Sequence, residues 1–233
     1  MDSLKIVNAY NHREENDLLD RMFRARKETF YTSLKWAVSV YNGELDLYDT
    51  SSTVYIVCEA EDGQIMGAVR LLPTDNEDSR GKSYPLRDMY PDLYGDAAPD
   101  KSEFVWEASR FMVCEGAPRS VTPALFAGII DYAASLKFDS IIAVVDKRIL
   151  ASFNRYQWDF ELLSNTTIET PEGNQVVGVR LKTDKDNLDR VIARATDLPT
   201  PIFAQKDTRK LVTEQRVSDI NLVLRYDRYY KNR

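Results

Sequence analysis

Charged and hydroxyl side chains interrupt one short stretch whose other residues are typical of a buried β-strand. The stretch is 105–114, where Glu107, Ser109 and Arg110 stand among aromatic and β-branched residues. A charge in a protein interior is costly unless it is paired or hydrogen-bonded. The pattern therefore predicts one of two things: an internal Glu–Arg pair with no further role, or a strand that lines a site for a polar ligand.

Whether this strand can line a shared site depends on how its side chains alternate between the two faces of the sheet. Strict alternation sends Glu107 and Phe111 to one face of the sheet and Arg110 to the other. The carboxylate and the guanidinium can then meet at one ligand only where a bulge or a splay breaks the period. A shared site thus depends on an irregularity that the sequence does not reveal.

Two further arginines fall on the apolar faces of predicted elements. Arg26 lies on the apolar stripe of a predicted helix, and Arg70 lies on the apolar face of a predicted strand. Each arginine either extends past the edge of its element to solvent or needs an anion nearby. Asp46 and Asp49, in a polar loop between these elements, are either turn residues or partners of a cation.

The hydrophobic pattern predicts the elements that must position these side chains. Strands are predicted at 53–60, 64–72, 105–114, 140–145, 160–163 and 175–182, and helices at 14–35, 122–137, 147–158 and 187–195. Glu61-Asp62-Gly63 predicts a hairpin turn between the first two strands, and Thr122-Pro123 predicts an N-cap. This order favours an α/β sandwich with a central mixed, mostly antiparallel sheet flanked by helices.

Length and composition suit a globular protein without metal or disulfide support. The chain has 233 residues, of which 43% are hydrophobic and 29% charged. We expect one domain at 1–198 and a basic, helical C-terminal extension at 199–233. From Lys206 to Arg233 eight Lys/Arg stand against four Asp/Glu, whereas the whole chain has a net charge of −6. That overall charge argues against a nucleic-acid partner.

Several classes of site are disfavoured by the residues that the sequence lacks. A single histidine, His12, gives no zinc constellation and no Ser-His-Asp triad. Cys58 and Cys114 each lie in an apolar segment, which favours reduced thiols. The longest apolar run, Ile141 to Val145, is too short to span a bilayer, and residues 1–5 are unlike an export signal. We therefore expect a cytoplasmic protein.

Eight charged and aromatic positions together resemble the signature of the acyl-homoserine-lactone synthases, the autoinducer synthases of bacterial quorum sensing. These positions are Arg26, Phe30, Trp36, Asp46, Asp49, Arg70, Glu107 and Arg110. Ser109 and Phe111 belong to the same motif as Glu107 and Arg110. The resemblance covers residues 1–195. It implies a fold similar to that of the GNAT N-acyltransferases.

The resemblance implies a two-step reaction on S-adenosylmethionine, which is a substrate, so that no cofactor is needed. The α-amine attacks the thioester of an acyl chain carried on acyl carrier protein, with acyl-coenzyme A as the other possible donor. The substrate carboxylate then displaces the sulfonium, which closes the lactone and releases 5′-methylthioadenosine. Such chemistry needs a base for the ammonium and hydrogen-bond donors for the thioester oxygen.

The resemblance also implies the role of each residue. The catalytic set is Glu107, Arg110, Asp46, Asp49, Arg70 and Arg26, and the S-adenosylmethionine-binding set is Phe30, Trp36, Ser109 and Phe111. Glu107 is the candidate general base. The two aspartates and the aromatic faces would meet the cationic groups of the substrate, and the arginines would hold those acids. Backbone N–H groups between two splayed strands would donate to the thioester oxygen.

The acyl chain and its carrier are predicted to contact the second half of the sheet. The acyl pocket is predicted at Leu125, Ala143 and Val145, and the carrier protein is predicted to dock on Lys147, Arg148 and Arg155. Ala143 stands where a threonine in the family goes with 3-oxo chains, so we expect a preference for chains without a 3-oxo group. A solvated helix face is the alternative interpretation of the basic residues.

Two other functions stay open. An ordinary coenzyme A-dependent N-acyltransferase should carry a Gln/Arg-x-x-Gly-x-Gly/Ala run after the central strand, whereas residues 116–121 read Gly-Ala-Pro-Arg-Ser-Val. The second alternative function is that of a non-catalytic module that binds acyl carrier protein. Residues 74–103 carry no motif that distinguishes these functions, and we expect them to cover the cleft.

Overall fold

A mixed β-sheet forms the centre of the chain, which the computed structural model describes over residues 3–40 and 42–195. The strands of this part are β1 Ser3–Val7, β2 Val54–Glu59, β3 Ile65–Pro73, β4 Val105–Val113, β5 Ser140–Asp146, β6 Phe160–Leu162, β7 Ile168–Glu169 and β8 Gln175–Lys182. They lie in the order β1-β2-β3-β4-β5-β8-β6, and β7 also pairs with β8. The predicted extension at 199–233 lies outside the described residues, so the division at 198 stays a prediction.

One pair of neighbouring strands separates along its length. Among the strand pairs of the described residues, β4 and β5 alone run parallel, and the other pairs are antiparallel. Their pairing extends only from Val105 with Ser140 to Glu107 with Ile142. Beyond Glu107 the two strands continue without pairing to each other, and we call the space between them the β4–β5 gap. The prediction of a mixed, mostly antiparallel sheet is confirmed.

Helices cover both faces of this sheet. They are α1 Asn16–Arg26, continued by a π-helix at Lys27–Ser33, α2 Pro85–Met89, a 3₁₀ turn at Pro91–Tyr94, α3 Val121–Ser135, a 3₁₀ turn at Lys147–Ile149, α4 Leu150–Tyr156 and α5 Lys185–Arg194. Alternation along β2 separates the two cores: Ile56 packs with α3, and Val57 packs with α1. A third core lies under α2 on the α1 side. None of the described helices is long and apolar enough to cross a membrane.

The predicted strands and helices form, with differences at their ends. The helix predicted at 14–35 changes its hydrogen bonding at Lys27, which hydrophobic spacing does not reveal. The predicted N-cap at Thr122 is wrong, because the N-cap residue of α3 is Ser120, two residues earlier. Strands β1 and β7 were not predicted. They are short and have no long alternating pattern to mark them.

Close contact between α3 and the sheet depends on Gly67 in β3. A Cβ atom at this position would lie 2.7 Å from Val121 Cγ1 and 2.8 Å from the carbonyl oxygen of Met112. Both distances are shorter than a van der Waals contact. Helix α3 therefore lies at a distance from β3 that only glycine permits, and the neighbouring β4 is held beneath the same helix.

The substitution Gly67→Ala should lower the free energy of unfolding by about 1–3 kcal/mol, because the added methyl group overpacks the contact between α3 and β3. Urea denaturation followed by tryptophan fluorescence measures the change. Glu161→Ala, at an exposed position of β6, is the control and should stay within about 0.5 kcal/mol of the parent protein. Equal stability of the Gly67→Ala variant would contradict the close packing.

Candidate active site

A β-bulge in β4 supplies the irregularity that the sequence left open. Ala68 and Arg70 are two residues apart on β3, but their partners on β4, Met112 and Ser109, are three residues apart. Within the bulge Arg110 adopts a left-handed backbone with φ of 53°. For a residue with a side chain this conformation costs about 1–2 kcal/mol. Such strain persists where surrounding contacts hold the residue, and it is frequent at functional sites.

The bulge brings Arg110 to the α1 side of the sheet, where alternation already places Glu107 and Ser109. Glu107 contacts α2, Ser109 accepts a hydrogen bond from Arg70, and Arg110 reaches the loop before β2. Phe111 consequently turns to the α3 side, where its ring centroid lies 5.3 Å from that of Phe126. The expectation that Phe111 shares a face with Glu107 is wrong, because the bulge reverses the alternation after Ser109.

Three arginines and three carboxylates form a closed ring of ion pairs on this face, and we call it the ion-pair ring. Its members follow one another as Arg26, Glu44, Arg110, Asp46, Arg70 and Asp49, and Asp49 returns to Arg26. Each arginine contacts two carboxylates, and each carboxylate contacts two arginines. The six charges sum to zero, so the ring can lie between hydrophobic cores without an uncompensated charge.

The Asp49 side of the ring is enclosed by protein. Arg26 donates to Glu44 at 2.6 Å and to Asp49 at 2.8 Å, and the hydroxyl of Tyr55 donates to Asp49 at 2.8 Å. Burial alone would raise the pKa of Asp49, but Arg26 and Arg70 hold it well below its usual range. Burial alone would lower the pKa of Arg26, but Asp49 and Glu44 raise it above its ordinary value. These groups stay charged and paired near neutral pH.

The opposite side of the ring reaches solvent. Arg70 donates to Asp46 at 2.6 Å and to the Ser109 hydroxyl at 3.0 Å. Arg110 lies 2.8 Å from Asp46 and 3.0 Å from Glu44. Asp46 and Arg110 keep 16% and 19% of their side-chain surface exposed, whereas the Arg70 side chain keeps none. A ligand that approaches the ring would therefore meet one carboxylate and one guanidinium.

Glu107 is a buried carboxyl group next to the ring, without an ion pair among the described residues. Its Oε2 accepts a hydrogen bond from the backbone N–H of Leu86 at 3.0 Å. Burial raises the pKa of Glu107 to about 8, although the Leu86 N–H and the charges of Arg70 and Arg110 oppose the shift. A carboxyl group with this pKa gains and loses its proton near neutral pH, as a general base must. It stands at the last β4 residue before the β4–β5 gap.

Two stacked aromatic rings lie next to the ion-pair ring, and one of them contacts Arg110. The π-helix places Phe30 so that its ring stacks on Trp36, with 4.9 Å between centroids and 23° between planes. The guanidinium carbon of Arg110 lies 5.6 Å from the centre of the Phe30 ring. The backbone N–H of Trp36 donates to the backbone carbonyl of Phe30 at 2.8 Å, which holds the two residues close together. The Phe30 face thus stabilises the Arg110 guanidinium at the exposed side of the ring.

The predicted acyl-pocket residues lie together on the α3 side of the sheet. Leu125 and Ala143 are buried in the core beneath α3, and the half-buried Val145 packs against the same core. Phe111 joins them, so it lies with the predicted acyl residues and on the opposite face from Phe30. The six predicted catalytic residues converge on the α1 side, so the sheet lies between the two groups.

The predicted docking residues form a group on the surface. Lys147, Arg148 and Arg155 are all exposed, on the 3₁₀ turn after β5 and on α4. Arg148 pairs with Asp146 at 2.6 Å, which offsets part of the positive charge. The single helix predicted at 147–158 is wrong in detail, because a 3₁₀ turn precedes a shorter α4.

Sequence reasoning missed Glu44, which closes the ion-pair ring. A signal was present in the preceding Gly43, whose Cβ would lie 2.8 Å from the Cβ of Phe23. The backbone N–H of Glu44 also donates to the Phe23 carbonyl at 2.9 Å. Glycine thus lets the loop approach α1 and directs Glu44 inward. The sequence does not reveal the hydrogen bond from Leu86 to Glu107, because its donor is a backbone N–H group and not a side chain.

Comparison with known proteins places this geometry in a family. The autoinducer synthase family model matches residues 9–191. The acyl-homoserine-lactone synthase of Aeromonas hydrophila is 30% identical over 203 residues, which are 84% of this chain and 92% of that protein. The corresponding synthase of Dickeya chrysanthemi is 28% identical over 207 residues, again 84% of this chain and 92% of that protein.

Solved structures show the same fold. A coenzyme A-dependent acyl-homoserine lactone synthase, MesI, superposes with a TM-score of 0.75 at 22% identity and covers 87% of this chain and 100% of its own. An acyl-CoA N-acyltransferase from Pseudomonas aeruginosa superposes with a TM-score of 0.52 at 14% identity, covering 77% of this chain and 99% of its own, in agreement with the GNAT-like α/β architecture. The chain belongs to the autoinducer synthase family, whose named relatives are acyltransferases of the acyl-homoserine-lactone synthase type.

Proposed function

We propose that this protein N-acylates S-adenosylmethionine with an acyl thioester and then closes the lactone, releasing 5′-methylthioadenosine. One observation carries the proposal: a buried carboxyl group with a pKa of about 8, Glu107, lies beside the open side of the ion-pair ring where β4 and β5 separate. A related fold, BjaI, has been solved with SAM and isopentyl-CoA, and also with MTA. The reaction needs no cofactor, and we place it in the cytoplasm.

In the first step Glu107 takes a proton from the substrate ammonium, so that the free amine can attack the thioester carbonyl. The new amide bond forms as the carbon–sulfur bond of the thioester breaks, and the carrier thiol leaves with a proton. Negative charge develops on the carbonyl oxygen during this step. Backbone N–H groups in the β4–β5 gap, where the two strands no longer pair with each other, are the proposed donors to that oxygen.

In the second step a carboxylate oxygen of the substrate attacks the carbon that bears the sulfonium. The carbon–sulfur bond breaks, and the neutral thioether 5′-methylthioadenosine leaves with the electron pair. The substrate must fold back on itself, and a clamp that holds both ends lowers the entropy lost at the transition state. Arg110, on the exposed side of the ring, is our candidate for gripping the carboxylate.

Members of the ion-pair ring divide into two roles. Asp46 is partly exposed and can meet the ammonium or the sulfonium, with the Phe30 and Trp36 faces beside it. Asp49 and Arg26 are enclosed and pair with other members, so we assign them a positioning role. This differs from the sequence-based expectation that both aspartates contact the substrate. Ser109 orients Arg70 through its hydrogen bond of 3.0 Å.

Acyl carrier protein remains our proposed donor, with acyl-coenzyme A as the alternative. The exposed Lys147, Arg148 and Arg155 are the proposed contact for the acidic carrier protein, although Asp146 neutralises part of this surface. Relatives of known structure include coenzyme A-dependent enzymes. We retain the proposal that the acyl chain lacks a 3-oxo group, because Ala143 offers no hydroxyl to bind one.

Incubation with S-adenosylmethionine and matched thioesters of acyl carrier protein and coenzyme A should give both an acyl-homoserine lactone and 5′-methylthioadenosine. Mass spectrometry of the products measures both. Acyl transfer to other amines without lactone would support an ordinary N-acyltransferase. Binding of acyl carrier protein without turnover of any thioester would support the non-catalytic module. Either result would overturn the proposal.

Replacement of the proposed base by an amide, Glu107→Gln, should lower kcat by about 10²- to 10⁴-fold, because the ammonium keeps its proton. Thiol release measures the rate. Calorimetric titration with S-adenosylmethionine should show a Kd close to that of the parent enzyme, since Glu107 acts on the reacting proton.

The same variant separates the carboxyl group from the substrate amine as the source of any pH dependence. Carbon NMR of the substrate-free parent protein should show a carboxyl titration near pH 8, absent from Glu107→Gln. Because the pKa is raised above its ordinary value of 4.5, the base form is lost as pH falls below about 8. Full activity of the variant, or titration of Glu107 below pH 5, would contradict its role.

Removal of one enclosed arginine, Arg26→Ala, should destabilise the protein by roughly 3–5 kcal/mol, because Glu44 and Asp49 are left buried without a partner. Urea denaturation measures this effect. The matched control is Arg148→Ala, which removes an exposed partner of Asp146 and should cost at most about 1 kcal/mol. Equal losses in the two variants would show that the ring does not support the fold.

A further inference from the structure

We propose that Tyr48 is a positioning residue, which holds α2 through Asp88 so that the Leu86 N–H stays on Glu107. We call the hydrogen bond between the Tyr48 hydroxyl and the Asp88 carboxylate the Tyr48–Asp88 link. The inference rests on the proposed function, because it adds a residue that controls the protonation of the proposed base. In this assignment Tyr48 acts through α2 and does not contact the substrate.

The loop that carries the ring carboxylates also holds Tyr48 in place. The Tyr48 backbone N–H donates to Asp46 at 2.9 Å, and the Tyr48 carbonyl accepts a hydrogen bond from the Thr53 hydroxyl at 2.9 Å. The Tyr48 ring packs on Arg70, with 5.7 Å between the guanidinium carbon and the ring centre. The residue is buried. The direction of its hydroxyl is therefore set by members of the ion-pair ring.

The Tyr48 hydroxyl extends from this loop to the Asp88 carboxylate on α2. Burial and the negative charge of Asp88 raise the pKa of Tyr48 above its ordinary value, so the hydroxyl keeps its proton and is the donor. The Asp88 side chain is only 6% exposed, and it also accepts a hydrogen bond from the Ser83 backbone N–H at 2.9 Å. A buried carboxylate is costly without such donors, so the two hydrogen bonds favour one position of α2.

The short length of α2 makes its position depend on contacts with neighbouring segments. It has five residues, fewer than an isolated helix needs to be stable in water. Leu86 is buried in the same core as Tyr48. Tyr84, at the N-cap, donates through its hydroxyl to the Asp100 carbonyl at 2.6 Å. These contacts fix where α2 begins, and the Tyr48–Asp88 link fixes its direction beyond that point.

The direction of α2 matters because this helix supplies the hydrogen bond from the Leu86 N–H to Glu107 at 3.0 Å. Burial raises the pKa of Glu107 to about 8, and the Leu86 N–H opposes that rise. A displaced α2 would weaken this donor, so the pKa of Glu107 should rise further and less of the base form would be present near neutral pH. The charged or titratable groups that face Glu107 from the surrounding elements are Arg70 of β3, Arg110 of β4, Asp46 and Tyr48 of the loop before β2, and Tyr84 before α2.

The substitution Tyr48→Phe removes the link and keeps the aromatic ring that packs on Arg70. Because the hydrogen bond to the Glu107 carboxylate is weakened, the pKa of Glu107 should rise by about 1, from about 8 to about 9. Carbon NMR titration of the substrate-free protein measures the change. Tyr132→Phe is the matched control, because it removes the hydroxyl of a buried tyrosine in the core beneath α3, and it should leave the pKa of Glu107 unchanged.

The substitution Asp88→Ala removes the acceptor of the link and should also raise the pKa of Glu107. Loss of a negative charge by itself would lower the pKa of a neighbouring carboxyl group, so a rise reports the displacement of α2. Both substitutions together should give no larger a rise than the greater single one, because both remove the same link. Circular dichroism confirms folding, and Asp88→Ala carries the test if Tyr48→Phe does not fold. An unchanged pKa of Glu107 in a folded variant would overturn the inference.

The pH dependence of the reaction separates this positioning role from a role in stability alone. For S-adenosylmethionine, kcat/KM of the parent enzyme should exceed that of Tyr48→Phe by about ninefold at pH 7 and by about twofold at pH 9, as the variant base loses its proton. The substrate amine titrates equally with both enzymes and cancels in this ratio. A ratio that does not change with pH would overturn the inference. If no thioester gives lactone with the parent enzyme, the proposed function fails, and the NMR titration still tests the Tyr48–Asp88 link.

Discussion

Charge neutrality inside the ion-pair ring is the constraint on which the rest of the structure depends. Three guanidinium groups and three carboxylates, supplied by α1, the loop before β2, β3 and β4, lie between hydrophobic cores. The loop supplies all three carboxylates and each of the other segments supplies one arginine, so the ring closes only when all four segments are in place. Folding of the α1 face is thereby coupled to assembly of the site, because an incomplete ring leaves a buried charge without compensation.

Two irregularities of β4 connect this ring to the reacting centre. The bulge turns Arg110 to the side of Glu107 and Ser109, and the separation from β5 begins immediately after Glu107. A regular parallel strand would have filled the gap with backbone hydrogen bonds and placed Arg110 on the α3 side. One strand therefore presents its polar residues to the ion-pair ring on one face and its apolar residues to the core beneath α3 on the other.

Local patterns in the sequence predicted much of this arrangement, and the limits of the prediction have physical causes. Spacing placed Arg26 and Arg70 on apolar faces but left open whether each extends to solvent or pairs with an anion. Glu44 was not chosen because a loop carboxylate is equally suited to a turn. The face of Phe111 was wrong because a single bulge, invisible in composition, reverses every later side chain.

The π-helix between Lys27 and Ser33 limits how this chain can vary in length. Wider hydrogen bonding there accommodates extra backbone within one turn, and it carries Phe30 to its stacking partner. Loss of a single residue from this segment would restore ordinary helical winding and rotate the following side chains by about 100°. Insertions and deletions should thus be excluded from this turn of helix but tolerated in surface loops such as the β7–β8 turn. The stacked aromatic pair beside Arg110 would be preserved by chain length as much as by residue type.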